Sequence, residues 1–258
     1  MAPLRVAAAV MLLLGAVQPA TAEAPKLAIV IDDVGLRTEP LDIFLEIDSL
    51  RGKITWAVIP SAVHAVALTR RLVALGEPVI AHIPMEPKDK RHIAKHLGNY
   101  LRVGMSGSEI ETEVERQLDL FPSELRPFVR GINNHQGSGL TASKPSMTAV
   151  LTVLKRRGLY FLDSRTTAAT VTMALARTAG VPHVQRDVFL DNERNVDRIV
   201  AQLDAAAARA QTHGSAVAIG HPYPETATAL AYWVNHRLGR VRLVPVETLT
   251  RGMVRPLK

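Results

Sequence analysis

The chain has 258 residues, with 31 Lys and Arg against 24 Asp and Glu, a formal net charge of +7 and no cysteine. Disulfides, thiolate metal sites and cysteine nucleophiles are therefore excluded. Two Trp, four Tyr and five Phe are too few for a stacking platform, and the basic residues are dispersed, so nucleic-acid binding is disfavoured and the charge reads as a solvated surface suited to an anionic envelope polymer or a membrane face.

At the N-terminus Arg5 precedes an apolar stretch from Val6 to Val17, and Ala20-Thr21-Ala22 supplies small residues at cleavage spacing. Residues 1–22 read as a cleaved export signal, which predicts a periplasmic or secreted protein. The apolar core is short for a bilayer span, and no later stretch approaches the roughly 20 apolar residues a spanning helix needs. Residues 23–258 fit one α/β domain.

The segment Lys26-Leu-Ala-Ile-Val-Ile-Asp-Asp-Val-Gly35 runs an apolar strand straight into two adjacent carboxylates, Asp32 and Asp33. An uninterrupted apolar run suits a parallel strand covered on both faces. Adjacent acids at its end are equally an Asx turn with solvated carboxylates or a site where a cation or shared proton offsets their repulsion. Further along, residues 39–48 read as helix, 54–59 as strand, 62–75 as helix and 78–83 as strand. Lys88 to Gly107 lacks periodicity and reads as a long loop. Then come a helix over 108–120, a strand over 128–132, a helix over 145–157, a strand over 159–162 and a helix over 167–178. A helix over 195–212, a strand over 215–219, a helix over 226–238 and a strand over 241–244 complete the series. About seven strand and helix units without a linker predict a single-domain, barrel-like parallel sheet.

Polar residues gather at the ends of these strands. Beyond Asp32 and Asp33 there are His82 and Glu86, Arg130 to Ser138, Asp163 to Arg165, Arg186 and Asp187 with Asp191, and Gly220-His221. In a parallel array such ends converge on one face, and acids, histidines and asparagines gathered there suit metal-assisted acid–base chemistry. No dinucleotide fingerprint, phosphate loop or Gly-x-Ser-x-Gly elbow occurs.

In order, Ile31-Asp32-Asp33-Val34-Gly35, His82-Ile-Pro-Met-Glu-Pro87, Gly131-Ile-Asn-Asn-His-Gln-Gly-Ser138, Leu162-Asp163-Ser164-Arg165 and Gly220-His221-Pro222 resemble the motifs of the polysaccharide deacetylase superfamily, in its divergent branch of exported bacterial proteins. The resemblance implies a distorted (β/α)7 barrel and a divalent metal, usually zinc, that activates water against an acetyl group on a sugar of an envelope polysaccharide. It implies that Asp32 is the general base, Asp33 a metal ligand, His221 the acid that protonates the leaving group, and Arg130 an arginine orienting the base.

Where the family has His-x-x-x-His, this chain has His82 and Glu86, and Pro84 and Pro87 prevent a regular helical turn between them. His135 at the next strand end would restore an Asp-His-His set with Asp33 and His82, leaving Glu86 as a fourth ligand or a partner of an imidazole. Asp163 and Asp187 are candidates to hold His221 or Arg130 in place, and Asn133 and Asn134 to bind substrate or backbone. The function expected is an exported metal-dependent carbohydrate deacetylase. The alternative is an inactive glycan-binding or envelope-assembly protein that kept the fold, marked by glutamate in place of histidine.

Overall fold

Leu27 to Ile31 are wholly buried, as a strand covered on both faces requires, and they form the middle of β1 (Lys26–Val34). The computed structural model describes residues 23–94, 98 and 100–250; the expected export signal, residues 1–22, lies outside the described residues. After β1 the order is α1 (Glu39–Leu45), β2 (Ile54–Val58), α2 (Ala65–Ala74), β3 (Val79–Met85), α3 (Gly107–Leu118), β4 (Val129–Gln136) and α4 (Lys144–Arg157). The second half comprises β5 (Tyr160–Asp163), α5 (Thr172–Ala179), β6 (His183–Gln185), β7 (Val188–Phe189), α6 (Val196–His213), β8 (Ser215–Gly220), α7 (Pro224–His236) and β9 (Arg242–Leu243). Local chemistry sets the ends. Ser106 and Glu109 form a capping box on α3, and α4, α5 and α6 each stop at a left-handed glycine, Gly158, Gly180 and Gly214, the residue that adopts this backbone without steric cost.

All strand pairs are parallel, in the order β6-β5-β4-β3-β2-β1-β8-β7, with β9 beside the start of β1. The sheet curls so far that its two edges are consecutive in sequence. β6 pairs with β5 and β7 with β8. Between them the Arg186 N–H donates to Asp163 O at 2.9 Å, and the Asp187 N–H donates to Val217 O at 2.8 Å. One strand, broken in the middle, thus serves both edges. Counted so, seven strands line a distorted (β/α)7 barrel in a single domain. The sequence reading sets Arg186, Asp187 and Asp191 around this strand but gives it no bounds, because two pieces of three and two residues are shorter than any periodicity can resolve.

Alternation along each strand divides the core in two. Leu27, Ile29 and Ile31 face the helices and join the large cluster with Leu72, Val114, Leu154 and Leu203, whereas Ala28, Val30, Ile80, Tyr160, Leu162, Val217 and Ile219 fill the barrel interior. Gly131 makes room for the largest of these. A Cβ there would lie 2.7 Å from the buried Tyr160 ring. Gly131→Ala is therefore expected to destabilise the fold by about 1–3 kcal/mol through overpacking. Gly107→Ala, whose Cβ would meet only Ala149 at 3.9 Å, is expected to stay within about 0.5 kcal/mol of the parent. Urea unfolding of the two variants checks both.

Candidate functional site

The interior positions of β1 are Ala28, Val30 and then Asp32, and the same count runs through Ile80 to His82, Leu162 to Ser164 and Ile219 to His221. On β4, Gly131, Asn133 and His135 follow the same parity. The candidate site is thus the last layer of the barrel interior, at the carboxyl ends of the strands, where the packing residues give way to polar ones. Asp32, His82, Asn133 and Ser164 in this layer are all buried.

Asp33 should face away by the same rule, since neighbours on a strand point to opposite faces. It does not, because β1 bulges there: Ile31 pairs with Trp56 and Val34 with Val58, leaving one extra residue on β1. Asp33 takes up the extra length in a left-handed backbone, φ 59°, and its side chain turns in. Gln136 and Arg165, at the ends of β4 and β5, are the other non-glycine residues with positive φ among the described residues. Backbone strain is concentrated at this mouth, where surrounding packing must sustain it.

Asp33 Oδ1 is 2.8 Å from His135 Nδ1 and 3.2 Å from His82 Nε2, and the two ring nitrogens are 3.3 Å apart. Behind His82, Asn133 makes two bonds: its Oδ1 is 2.7 Å from His82 Nδ1, and its Nδ2 donates to Asp32 Oδ1 at 2.7 Å. The carboxylate fixes the amide's orientation, because the flipped form would set oxygen against oxygen. Asn133 Oδ1 then accepts a hydrogen bond from the His82 Nδ1–H, which leaves the Nε2 lone pair facing Asp33 when the ring is neutral. Across the mouth His221 Nε2 is 3.9 Å from Asp33 Oδ2. Its Nδ1 is 2.9 Å from Asp191 Oδ1, and Asp191 Oδ2 accepts from the His221 N–H at 2.6 Å and the Thr226 hydroxyl at 2.8 Å.

The two aspartates are driven apart electrostatically. Burial raises the Asp32 carboxyl above its ordinary range, despite the nearby His82 and His221. Burial also acts on Asp33, but the hydrogen bonds from His135 and His82 outweigh it and hold Asp33 well below the usual range. For His82, burial opposes the charge and the Asp32 and Asp33 carboxylates prevail, so its pKa is raised. Burial likewise opposes the His221 imidazolium, but Asp191, then Asp33 and Asp32, push its pKa up to about 9.

The other expected site residues lie elsewhere. Glu86 is buried and pairs with Lys90 at 3.2 Å. Four residues of extended chain, at about 3.3 Å each, carry it away from His82, and among the described residues the cluster with metal-ligand geometry contains Asp33, His82 and His135 without it. Arg130, the second residue of β4, lies toward the other end of the strand, 3.6 Å from Glu247 and three residues before the Asn133 that bonds Asp32. Asn134 alternates outward, accepting from the Ser164 N–H and donating to Gln136 O. Asp163 accepts from the Arg165 N–H and the Thr170 hydroxyl, and Asp187 from Arg209 and the Val217 N–H. Both brace the backbone, and the acid that grips His221 is Asp191. Ser164, 3.1 Å from Asn133 Nδ2, is a further member; the sequence places it and Asp191 near strand ends but assigns neither a role. Alternation counted from a known strand boundary would have found both.

Three acceptor atoms, Asp33 Oδ1, His82 Nε2 and His135 Nδ1, lie within 4.8 Å of one another. Lone pairs this close require protons or a cation between them, and one carboxylate with two imidazoles, one of them held by an amide behind it, fits a divalent transition metal.

A family model described as divergent polysaccharide deacetylase matches residues 29–250. An uncharacterised Escherichia coli protein, YibQ, is 37% identical over 226 residues, covering 88% of this chain and 67% of that one. Among solved structures, an uncharacterised Agrobacterium tumefaciens protein superposes with a TM-score of 0.79 at 22% identity, over 90% of this chain and 92% of that one. The catalytic domain of a peptidoglycan N-acetylglucosamine deacetylase from Eubacterium rectale gives 0.56 at 14% identity, over 93% and 96%, a likeness of fold. The chain belongs to the divergent polysaccharide deacetylase family.

Proposed function

We propose that this chain is an exported, metal-dependent hydrolase that removes acetyl groups from a sugar polymer of the cell envelope. The observation that carries the reading is the convergence of Asp33, His82 and His135 between a buried carboxyl of raised pKa, Asp32, and an imidazole held in its charged form, His221. Family membership and the leader-like residues 1–22 support the polymer and the export.

Asp33 Oδ1, His82 Nε2 and His135 Nδ1 would hold the cation, and zinc suits this donor set best. When bound, the metal would supply Lewis acidity toward the acetyl carbonyl and toward water. Asp32 is the proton acceptor. Its free Oδ2 faces the cluster, 3.7 Å from His82 Nε2, while Asn133 holds Oδ1. Its raised pKa makes it a stronger base than an exposed aspartate. His221 donates a proton from Nε2 to the departing nitrogen or oxygen, and Asp191 fixes the ring through Nδ1. Hydrolysis then balances: water adds across the acetyl bond, one proton passes to Asp32, and one leaves His221 with the amine or alcohol.

Elemental analysis of the purified mature protein tests the ligand set. Near-stoichiometric metal is expected in the parent and in Glu86→Ala, and loss of it in His82→Ala and His135→Ala. A parent that takes up no metal even after reconstitution would remove the hydrolase reading and favour a glycan-binding protein that kept the pocket.

Acetate release from acetylated glycans tests the proton transfers. Asp32→Asn is expected to lower kcat by about 10²–10⁴-fold, the usual worth of a general base. The pH profile follows from the two shifts. Activity rises as pH climbs through the Asp32 pKa and Asp32 loses its proton, and it falls as pH climbs through the His221 pKa and that proton is lost. Asp191→Asn removes the carboxylate that favours the imidazolium, so the alkaline limb is expected at lower pH than in the parent.

A further inference from the structure

A cavity of about 470 Å³ opens beside the catalytic layer, with Asp33 on its wall and Leu36, Arg37, Arg194, Tyr223 and Glu225 around it. The arginines are the unusual members. Many arginines elsewhere on the protein are spoken for: Arg70 by Glu124, Arg71 by Asp42, Arg116 by Glu113, Arg156 and Arg157 by Glu115. Arg37 and Arg194 are exposed, and among the described residues neither has a carboxylate within ion-pair distance. The Arg194 guanidinium lies 3.7 Å over the Tyr223 ring, an arrangement that restricts the long side chain while leaving its N–H edge able to take a planar or tetrahedral anion. Tyr223 in turn packs against the His221 ring, centroids 5.4 Å apart, so the stacked arginine is tied to the catalytic layer rather than to a distant surface.

The cavity shares Asp33 with the candidate cation cluster, so in the deacetylase reading it is room for a sugar next to the acetylated one. Of the two carboxylates on the cavity wall, Asp33 is engaged by His82 and His135, so Glu225 alone is free to offset Arg37 and Arg194, two guanidiniums without a carboxylate partner among the described residues. We propose that the polymer carries a fixed negative charge, a carboxylate or a phosphate, on the sugar beside the acetylated one, and that Arg37 and Arg194 bind it. The inference rests on reading the site as a glycan deacetylase and adds the charge of the substrate to it. It also gives the dispersed basic surplus of the chain a local role, since long-range attraction would deliver the same polymer to the cavity.

The test is binding to the Asp32→Asn protein, which separates recognition from turnover, with three probes of equal length: a neutral N-acetylglucosamine oligomer, one bearing lactyl carboxylates on alternate sugars, and one bearing phosphate monoesters. At least one anionic probe is expected to bind about tenfold or more tightly than the neutral one, and which one does so identifies the group. Arg37→Gln and Arg194→Gln are each expected to cut that preference several-fold without weakening the neutral probe, and Glu225→Gln to increase it. Equal affinity for all three probes, or arginine variants that weaken neutral and anionic probes alike, would overturn the proposal. Acetate release by the parent protein is read separately. An arginine-dependent preference without acetate from any probe would sink the hydrolase reading and leave the charge recognition standing, whereas acetate released equally from neutral and charged probes would do the reverse.

Discussion

Adjacent residues of a strand point to opposite faces, and the candidate site depends on the one place where β1 escapes that rule. Without the bulge between Ile31 and Val34, Asp32 would close the barrel interior and Asp33 would point among the helices, a buried charge with no partner and a large cost. The extra residue and the left-handed backbone at Asp33 bring both carboxylates to one mouth. Gly35, itself at φ 110° and with no room for a Cβ beside Ala62, lets the chain turn at once into the next loop. The strain is local, and the interactions that repay it, from His82 and His135, come from two other strands. The bulge, the sheet order and the site therefore stand or fall together.

Two carboxylates brought this close must be given different environments or they will share a proton. Asp32 is held by an amide, Asn133, and burial outweighs the pull of His82 and His221, so its pKa rises. Asp33 receives two imidazoles and its pKa falls. The neutral amide is the choice that makes this separation possible: it orients Asp32 and His82 at once without adding a charge that would pull the Asp32 pKa back down. On the far side the reverse is built. His221 is held by a carboxylate, Asp191, and keeps its proton. In the proposed mechanism the base, the ligand and the acid differ through the charge of what stands behind each.

The repeated strand-to-helix rhythm was legible because amphipathic helices such as α3 and α6 carry strong periodicity, and the apolar strands between them are buried on both faces. The convergence of Asp33, His82 and His135 was legible because each ends such a strand. The positions that misled were those where being near a strand end does not fix which end or which face. Arg130 precedes the apolar part of β4 and so lies toward the other end of that strand. Asn134 and Asp163 are one residue out of phase with Asn133 and Ser164. Glu86 is four residues from His82, a spacing that unites two side chains on a helix and separates them on a strand. The missing information is a residue's end, distance and face along its strand, which a motif does not carry unless the strand is registered against its neighbours.

The broken sixth strand shows how that register reaches function. Val188 pairs with Ala218 and Phe189 with Ile219; two residues further along each chain, in the same phase, stand Asp191 and His221. The Leu190 N–H continues the ladder by donating to Ile219 O at 2.8 Å, which carries Asp191 to the end of β8. The pairing that closes the barrel on this side is thus the pairing that delivers the carboxylate to the imidazole. On the other side of the break, Arg186 donates through Nε to Ser164 O and through Nη2 to Arg165 O, holding the loop after β5, whose Ser164 contacts Asn133. A strand of full length could pair with both neighbours only along one straight line. Broken at Arg186 and Asp187, it follows each edge in turn and fixes both halves of the site, the Asn133 side through β5 and the His221 side through β8.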